Sequence, residues 1–335
     1  MESWLPSDDL DEICTRNNEQ LNSISGMRIL ITGSSGFVGT WFTQSLRRAS
    51  ELFNIDFQVS LLSRNPESQS SNSKFKVESI SWDLARGVPS IQGHFDSVVL
   101  LANPVNERME SDAYEKIAHS QIGITQEIIK RKAISGVRII HASSGAVYGR
   151  TNKLNQPFSE IDILNPNLED KYAKMKVFTE ISLSQLAEKY ECSLQNLRLF
   201  SFYGPGQPLN SHFAIGNFLS EALLGKSVEV RGNKKTKRSY MYPTDLISYL
   251  IRMIAKPKEK TLNVGSPDAI TIDELAKYIA VKFGNGSVNY SEKSELYMPT
   301  FYWPDVGKLY SEFGNHVEVS LEDGLQRWQK WLISN

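Results

Sequence analysis

The chain has 335 residues, of which 40% are hydrophobic and 22% are charged, and its net charge of -1 provides no field that would attract nucleic acid or an anionic membrane surface. Its acidic N-terminal sequence lacks the basic and apolar regions of a signal peptide, and no apolar run reaches the ~18 residues of a membrane-spanning helix, so we expect a cytoplasmic protein with no nucleic acid and no membrane as partners. Its two cysteines are too few for a disulfide framework or a structural zinc site, and we predict no metal site.

Residues 1–26 form a polar leader. Leu10, Ile13 and Cys14 recur at helical spacing, and Asp8 stands where an N-cap residue would stand. The pattern predicts a short leader helix packed on the main body of the protein, with a frayed tail as the alternative.

From Met27 to Phe200 the chain alternates between apolar runs and amphipathic segments. The apolar runs predict buried strands, and the amphipathic segments predict helices, the first of which ends on the basic pair Arg47-Arg48. The predicted strands lie at 27–32, 57–63, 77–84, 95–102, 136–142 and 193–200, and the predicted helices at 38–50, 112–133 and 172–190. This alternation predicts an α/β fold built on a Rossmann-like, doubly wound parallel sheet.

After Phe200 the rhythm changes, and we predict a smaller α/β C-terminal substrate domain. Its predicted elements are a helix at 215–225, a strand at 227–232, a basic loop at 233–239, a helix at 271–284 that opens with a capping box of Thr271 and Glu274, and a helix at 320–334. A helix at 243–255 and a strand at 261–265 return to the main sheet. The predicted domains are 1–26 (leader helix), 27–200 plus 240–265 (the domain of the doubly wound sheet), and 201–239 plus 266–335 (the smaller C-terminal domain).

A glycine-rich turn lies where the first strand meets the first helix. Gly33, Gly36 and Gly39 have GxxGxxG spacing, which permits a tight turn and a close approach of the backbone to a pyrophosphate at a helix N-terminus. The strand-turn-helix context favours dinucleotide binding over a plain tight turn. The residues of the turn predicted to bind the cofactor are Gly33, Ser35, Gly36, Phe37, Val38 and Gly39.

The glycine spacing resembles that of the short-chain dehydrogenase/reductase superfamily. The resemblance implies that the Asp83 side chain and the Leu84 backbone hold the adenine, and that Leu101, Ala102 and Asn103 lie beneath the ribose and nicotinamide. Phe200, at the end of the sixth predicted strand, is a further predicted cofactor contact.

The end of the second strand distinguishes the two nicotinamide cofactors. NAD enzymes place an acidic residue there for the ribose 2′-hydroxyl, whereas this chain has Ser63 and Arg64. Arg64 could pair with a 2′-phosphate, so NADP(H) is favoured, with NAD(H) as the alternative. If Arg64 instead faces solvent or stacks on adenine, it does not indicate which cofactor is preferred.

Tyr172 and Lys176 form a YxxxK pair on one face of a predicted helix. A phenol has a pKa of ~10, and a nearby ammonium together with an oxidised nicotinamide favours the phenolate and lowers that pKa. Tyr172 could then move a proton at a sugar hydroxyl or ketone while hydride moves at the same carbon. Ser144, at the end of the fifth strand, is the predicted third catalytic residue, which hydrogen-bonds the reacting oxygen; a strand-end serine that caps backbone is the alternative.

Two further motifs narrow the resemblance. Ser143-Ser144 followed by Val147-Tyr148-Gly149, and the later Tyr203-Gly204-Pro205, resemble the extended short-chain dehydrogenase/reductases, and within them the nucleotide-sugar epimerase/dehydratase family. The resemblance implies a nucleotide-diphosphate sugar as substrate and a homodimer formed through helices 112–132 and 172–190. It also implies substrate contacts from Ser144, Gly145, Ala146, Ser201, Asn217, Val230 and Arg238, with Arg238 on the diphosphate and Val230 along the nucleobase. The family usually has Asn at position 201, so the contact made by Ser201 is open.

The two residues after Ser144 restrict the reaction. The 4,6-dehydratases that this chain resembles carry Asp-Glu there and the decarboxylases keep a Glu, whereas Gly145 and Ala146 have no side chain that can move a proton. This favours epimerisation, most simply at C4, or else NADPH-dependent reduction of a 4-keto nucleotide sugar. A dehydratase or decarboxylase is less favoured, and a non-catalytic NADP-binding sensor or scaffold is the alternative from another class.

Overall fold

The computed structural model describes residues 4–66, 71–103, 112–131, 136–149, 155–167, 169–210, 213–258, 261–292, 298–314 and 319–334. Its centre is a seven-stranded, fully parallel sheet in the order β3-β2-β1-β4-β5-β6-β9. With strands numbered in chain order, these are β1 (Arg28–Thr32), β2 (Phe57–Ser63), β3 (Phe75–Ser81), β4 (Ser97–Leu100), β5 (Arg138–Ser144), β6 (Ser193–Leu199) and β9 (Thr261–Val264). The predicted doubly wound sheet is therefore confirmed, including the segment that returns to it.

Helices cover both faces of this sheet because its central strands are apolar on both sides. On β1, Ile29 and Ile31 face one hydrophobic core, and Leu30 between them faces the other. The first core is shared with α1 (Ser7–Arg16), α2 (Asn18–Ser23), α3 (Phe37–Phe53) and α7 (Pro243–Ala255), and the second with α4 (Ala113–Arg131) and α5 (Lys171–Lys189).

A third core lies in the C-terminal part of the chain, where helices pack on two small sheets, β10-β8-β12 and β11-β7. The elements of this region are α6 (Ala214–Leu223), β7 (Val228–Val230), β8 (Lys237–Ser239), β10 (Ala269–Thr271), α8 (Ile272–Phe283), β11 (Val288–Tyr290), β12 (Phe301–Tyr302), α9 (Gly307–Phe313) and α10 (Leu321–Ser334). The predicted capping box of Thr271 and Glu274 is present at the start of α8. The residue boundaries of the domains stay predictions.

The leader forms two helices rather than one. Leu10, Ile13 and Cys14 are buried against the main body, as predicted. The prediction that Asp8 is the N-cap is wrong, because α1 begins at Ser7 after Pro6, and Asp8 lies inside its first turn. Pro6 is the residue before the helix, and no side chain caps the first turn.

Several other boundaries also differ from the predictions. Helix α3 continues to Phe53, so the Arg47-Arg48 pair lies within the helix, where Arg47 pairs with Glu51. The third strand ends at Ser81, and a 3₁₀ turn follows at Leu84–Arg86. The end of the predicted basic loop is strand β8, because its backbone pairs with β10 and β12. None of the helices in the described ranges is long and apolar enough to cross a membrane.

Candidate active site

The predicted cofactor and catalytic residues follow the C-terminal ends of neighbouring strands. The glycine turn follows β1, Leu101 follows β4, Ser144 ends β5 and Phe200 follows β6. Since all these strands are parallel, the residues lie along one edge of the sheet. Strands β1 and β4 are neighbours there, with β2 and β3 on one side and β5 and β6 on the other, which makes this the switch point where α/β proteins bind ligands.

The glycine turn is built for a close approach of backbone segments. Gly33 has φ +70, and a Cβ on it would lie 2.6 Å from the backbone of Ala102. A Cβ on Gly39 would lie 2.3 Å from the carbonyl oxygen of Gly33. Gly36 is the N-cap of α3 and supplies no side-chain cap, so the N-terminus of this long helix is open to an anion.

Three buried polar atoms along this edge have no hydrogen-bond partner among the described residues, namely Ser34 Oγ, Ser63 Oγ and Asn103 Oδ1. Buried polar groups are rarely left in this condition. Together with the glycine cradle, they fit a polar ligand with many hydrogen-bonding groups, and a nicotinamide dinucleotide is such a ligand.

Asp83 and Arg64 flank the predicted adenosine end of this site. The Asp83 carboxylate accepts a hydrogen bond from the Ala85 N–H at 2.9 Å and so caps the 3₁₀ turn that follows it. The Leu84 side chain is buried, and its carbonyl accepts a hydrogen bond from the Ser120 hydroxyl. Arg64 is exposed and directly follows β2. The predicted contacts with adenine and with a 2′-phosphate stay predictions.

Lys176 is fully buried in α5 beneath the end of β5. Its Nζ donates a hydrogen bond to the carbonyl oxygen of Ala142 and lies 5.9 Å from the centre of the Tyr172 ring. Burial lowers the Lys176 pKa to about 7, against the opposing charge of Glu180. The YxxxK pair therefore faces the strand that carries Ser144, as the sequence predicted.

Tyr172 has a raised pKa in this protein. Burial raises it to about 12, while hydrogen bonding to Ser144 lowers it and the charges of Asp170 and Tyr114 add to the rise. Burial therefore outweighs the hydrogen bond from Ser144, which is the one influence that lowers this pKa. The expectation that the Lys176 ammonium and an oxidised nicotinamide together lower it stays a prediction. The phenol of Tyr172 is a proton donor until a further positive charge is bound beside it.

Ser144 has one of the two roles that the sequence left open, that of a backbone cap, and its catalytic role stays a prediction. Its Oγ accepts a hydrogen bond from the Ala146 N–H at 3.1 Å and so caps the 3₁₀ turn Gly145–Tyr148. The same hydroxyl lowers, by hydrogen bonding, the pKa of Tyr172 and that of a second phenol, Tyr302. Ser144 thus lies between two tyrosines that come from distant parts of the chain.

Tyr302 is the residue of this site that the sequence did not reveal. A Cβ on Gly145 would lie 2.7 Å from the Tyr302 hydroxyl and 2.8 Å from the ring of Phe200. The Tyr302 ring packs against Phe200 with centroids 4.7 Å apart. The aromatic run at 301–303 was the only signal, and nothing in the sequence placed it beside Gly145.

Arg238 lies in β8, where it is the pairing partner of Tyr302 in β12. Its guanidinium is 5.5 Å from the centre of the Tyr302 ring and donates to the carbonyl and hydroxyl oxygens of Thr300. Burial lowers its pKa. No carboxylate of the described residues is within ion-pair distance of it, so it is a partly buried cation suited to an anionic ligand.

The other predicted substrate residues are less closely grouped. Asn217 is partly buried in α6, and Ser201 is partly buried directly after Phe200. The Val230 side chain is fully buried in the third core, so a contact between this residue and a nucleobase has to use its backbone.

A buried hydrogen-bond network supports the catalytic strand from behind. Ser143 donates to Glu180, which forms a bidentate ion pair with Arg198 at 2.9 and 3.1 Å. Arg198 donates to the Tyr148 hydroxyl, which in turn donates to the Oδ1 of Asn263. Strands β5, β6 and β9 and helix α5 are thereby joined behind Ser144 and Lys176.

Comparison with known proteins identifies the family. Residues 29–265 match the family described as the NAD dependent epimerase/dehydratase family. The chain belongs to this family. The resemblance that the sequence motifs indicated is confirmed, and so is the Rossmann-like fold class.

Several proteins similar to this epimerase/dehydratase chain are named for UDP sugars. It is 25% identical over 304 residues to UDP-glucuronic acid decarboxylase 1 of Xenopus tropicalis, covering 90% of this chain and 70% of the relative. It is also 25% identical over 352 residues to UDP-glucuronate 4-epimerase 1 of Arabidopsis thaliana, covering 95% and 80%. The solved UDP-glucuronic acid 4-epimerase of Bacillus cereus, in complex with UDP-glucuronic acid and NAD, has the same fold, with a TM-score of 0.69 at 21% identity over 92% of this chain and 99% of that one.

Proposed function

We propose that this member of the family is a nucleotide-sugar epimerase that inverts one sugar carbon, C4, by reversible hydride transfer, with Tyr172 as the acid and base. The observation that supports the proposal is that Ser144, Tyr172 and Lys176 lie close together. The two residues that follow Ser144, Gly145 and Ala146, have no side chain that can transfer a proton. Redox chemistry at one carbon needs the first three groups and nothing from the last two.

Each catalytic side chain has a specific task in this proposal. Tyr172 takes the proton of the sugar hydroxyl and returns it after the ketone has turned over, and Ser144 hydrogen-bonds the same oxygen. Lys176, with a pKa of about 7, holds the floor of the site and stabilises negative charge on Tyr172 when it is protonated. A nicotinamide dinucleotide, when bound at the glycine turn, supplies the acceptor and donor of the hydride.

Elimination and decarboxylation are disfavoured because Gly145 and Ala146 have no side chain that can transfer a proton. A 4,6-elimination needs an additional acid and base at the neighbouring sugar carbons, and positions 145 and 146 provide neither. Tyr302 occupies this space, but its pKa is raised by burial, so it can donate a proton and cannot act as a base near neutral pH.

The proposed substrate is a nucleotide-diphosphate sugar, as for the UDP sugars that name the relatives. Arg238 supports this, because a partly buried guanidinium with no carboxylate within ion-pair distance among the described residues is suited to bidentate binding of a diphosphate. Replacing Arg238 with Ala should weaken binding of UDP-glucuronic acid while binding of the nicotinamide cofactor is unchanged. Equal loss of both would show general unfolding.

The experiment that tests the reaction uses UDP-glucose and UDP-glucuronic acid as probes. Tyr172→Phe should lower turnover by about 10²-fold or more, the loss expected when a general acid/base is removed. Tyr190→Phe, which changes a phenol just after the same helix, should leave turnover unchanged. Equal activity of Tyr172→Phe and the unaltered protein would refute the mechanism, and no turnover of any nucleotide sugar would favour the sensor or scaffold.

The second candidate function, a 4-keto sugar reductase that consumes NADPH, is favoured by one observation. Strand β2 ends on Ser63 followed by the exposed Arg64, where an enzyme specific for NAD would have a carboxylate. We propose NADP(H) as the preferred cofactor on this ground, with NAD(H), which the solved relative from Bacillus cereus contains, as the alternative.

Arg64→Asp tests the cofactor proposal. The substitution should shift preference from NADP to NAD, because it exchanges a partner of the 2′-phosphate for a partner of the 2′-hydroxyl. Dissociation constants for both cofactors provide the measurement. Unchanged discrimination would remove the role of Arg64, and oxidised cofactor retained on purification would favour the epimerase over the reductase.

We also propose a homodimer formed through α4 and α5. Phe178 and Ile181 on α5 are 45% and 52% exposed, which is unusual for large apolar side chains that are close together. Phe178→Glu with Ile181→Glu should yield a monomer by light scattering if this face joins two copies.

A further inference from the structure

We propose that Tyr302 is a positioning residue of the reaction centre, whose hydroxyl donates a hydrogen bond to Ser144 and thereby directs the Ser144 proton towards Tyr172. The inference rests on the proposed roles of Ser144 and Tyr172 and deepens them. It assigns a function to a residue that lies far from both in sequence and that belongs to the small C-terminal sheet.

The fold fixes the Tyr302 hydroxyl in place beside Ser144. Strand β12 pairs with β8 so that Tyr302 is opposite Arg238, and the Arg238 guanidinium lies 5.5 Å from the centre of its ring. On its other side the ring packs on Phe200 at 4.7 Å. The hydroxyl then lies 2.7 Å from the point where a Cβ of Gly145 would be. Gly145 is therefore the residue that lets the phenol reach the end of β5.

The position of the Tyr302 hydroxyl matters because the Ser144 hydroxyl can form only a limited number of hydrogen bonds. A serine hydroxyl has one proton to donate and two lone pairs that accept. The Ala146 N–H occupies one lone pair at 3.1 Å. If Tyr302 donates to the other, the only remaining direction for the proton of Ser144 is towards Tyr172 or the substrate oxygen bound beside it.

The charges around the two phenols are compatible with this direction. Tyr172 faces Lys176 from its own helix, with Asp170 and Tyr114 raising its pKa. Around Tyr302, burial is the largest influence and raises its pKa, Tyr172 and Tyr148 raise it further, and Ser144 and Arg238 oppose the rise.

Tyr302 is thus the donor of the pair. It keeps its proton over the pH range in which Tyr172 changes charge in catalysis. A chain of donors that ends on a phenolate stabilises that phenolate, since hydrogen bonds in series polarise one another.

The first test is the pH dependence of turnover with UDP-glucuronic acid. Tyr302→Phe keeps both ring contacts and removes only the hydroxyl, so the fold should be intact by circular dichroism. We expect kcat/KM to fall by about three- to tenfold, the loss of one hydrogen bond, and the limb assigned to Tyr172 to move to higher pH. Tyr249→Phe, which removes a hydroxyl bonded to the Gly314 carbonyl, should change neither.

A double-mutant cycle distinguishes a positioning role of the Tyr302 hydroxyl from a purely structural role of Tyr302. In the Ser144→Ala background, Tyr302→Phe should have no further effect, because both residues act through the same hydroxyl. An equal loss in both backgrounds would overturn the inference, and so would a pH profile of Tyr302→Phe that is identical to that of the unaltered protein.

A second readout does not depend on the reaction. In protein saturated with oxidised NAD, the ultraviolet absorbance of tyrosinate can be titrated, and the difference from Tyr172→Phe isolates the titration of Tyr172. Tyr302→Phe should move that titration to higher pH. If no nucleotide sugar is turned over, the proposed function fails, yet this titration still decides the role of Tyr302, with an unmoved curve refuting it.

Discussion

The phenol of Tyr302 occupies the space where a side chain of residue 145 would lie, so glycine fits at this position. The Tyr302 hydroxyl and the Phe200 ring edge both lie within 2.8 Å of the position of its missing Cβ. The lack of an acid or base at this position could be predicted from the sequence. The hydroxyl that replaces it could not, since it depends on the pairing of two short strands, β8 and β12, in the folded protein.

Substitution of Gly145 by Ala measures how tightly this contact is packed. We expect a loss of about 1–3 kcal/mol in the free energy of unfolding, because the added carbon forces Tyr302 and Phe200 apart. Urea denaturation provides the measurement. Gly232→Ala is the matched control, since its Cβ would meet nothing within 4 Å, and its effect should be near zero. An unchanged free energy of unfolding in Gly145→Ala would show that Tyr302 and Phe200 can move aside without cost.

The buried ammonium of Lys176 makes stability depend on pH. Its pKa is about 7 in the folded protein against an ordinary value of 10.5, so between these values the unfolded chain holds a proton that the folded protein lacks. The free energy of unfolding of the cofactor-free protein should therefore rise with pH across this window. Lys176→Met should remove this rise. A rise of equal slope in Lys176→Met, measured by urea denaturation at several pH values, would assign it to other groups.

At the scale of elements, the ion pair of Glu180 and Arg198 joins helix α5 to strand β6 close to the proposed catalytic residues. Both side chains are at most 7% exposed. Glu180→Gln removes the charge that faces Arg198 in a buried environment, which should lower the free energy of unfolding by about 3–5 kcal/mol.

The matched control for this pair is exposed. Lys277 and Asp273 form an ion pair on the surface of α8, and Lys277→Met should cost about 1 kcal/mol or less. Comparable losses for Glu180→Gln and Lys277→Met in urea denaturation would show that the network behind β5 contributes little to stability.

Long elements of this fold could be predicted because their apolar residues recur with a clear period. Strand β2 and helix α7 have the predicted boundaries. The short strands β8, β10 and β12 were missed because their residues are polar or few, and only pairing with one another makes them strands. These strands carry Arg238, which the sequence singled out, and Tyr302, which it did not, and the sequence could not predict that the two lie side by side.

At the scale of the whole molecule, the leader connects parts of the chain that are far apart in sequence. Arg16 of α1 forms an ion pair at 2.8 Å with Asp245 of α7, whose side chain is fully buried. Asp9 of α1 accepts hydrogen bonds from the Tyr242 hydroxyl and from Arg327 of α10. The leader is thus part of the folded core and not a frayed tail.

Arg16→Met tests this contribution. The substitution removes a cation that faces a buried carboxylate, so it should lower the free energy of unfolding by about 3 kcal/mol or more. Arg231→Met, in an ion pair whose arginine is 72% exposed, should have an effect of about 1 kcal/mol or less. Equal, small effects of the two substitutions on the urea midpoint would mean that the leader can leave the body of the protein at little cost.

The nature of the product tests the proposed chemistry most directly. UDP-glucuronic acid is incubated with the purified protein and its nicotinamide cofactor, and the product sugar is identified by nuclear magnetic resonance. Because Gly145 and Ala146 supply no additional acid or base, we predict the C4 epimer with its carboxylate intact. Release of carbon dioxide with formation of a pentose product would contradict this account.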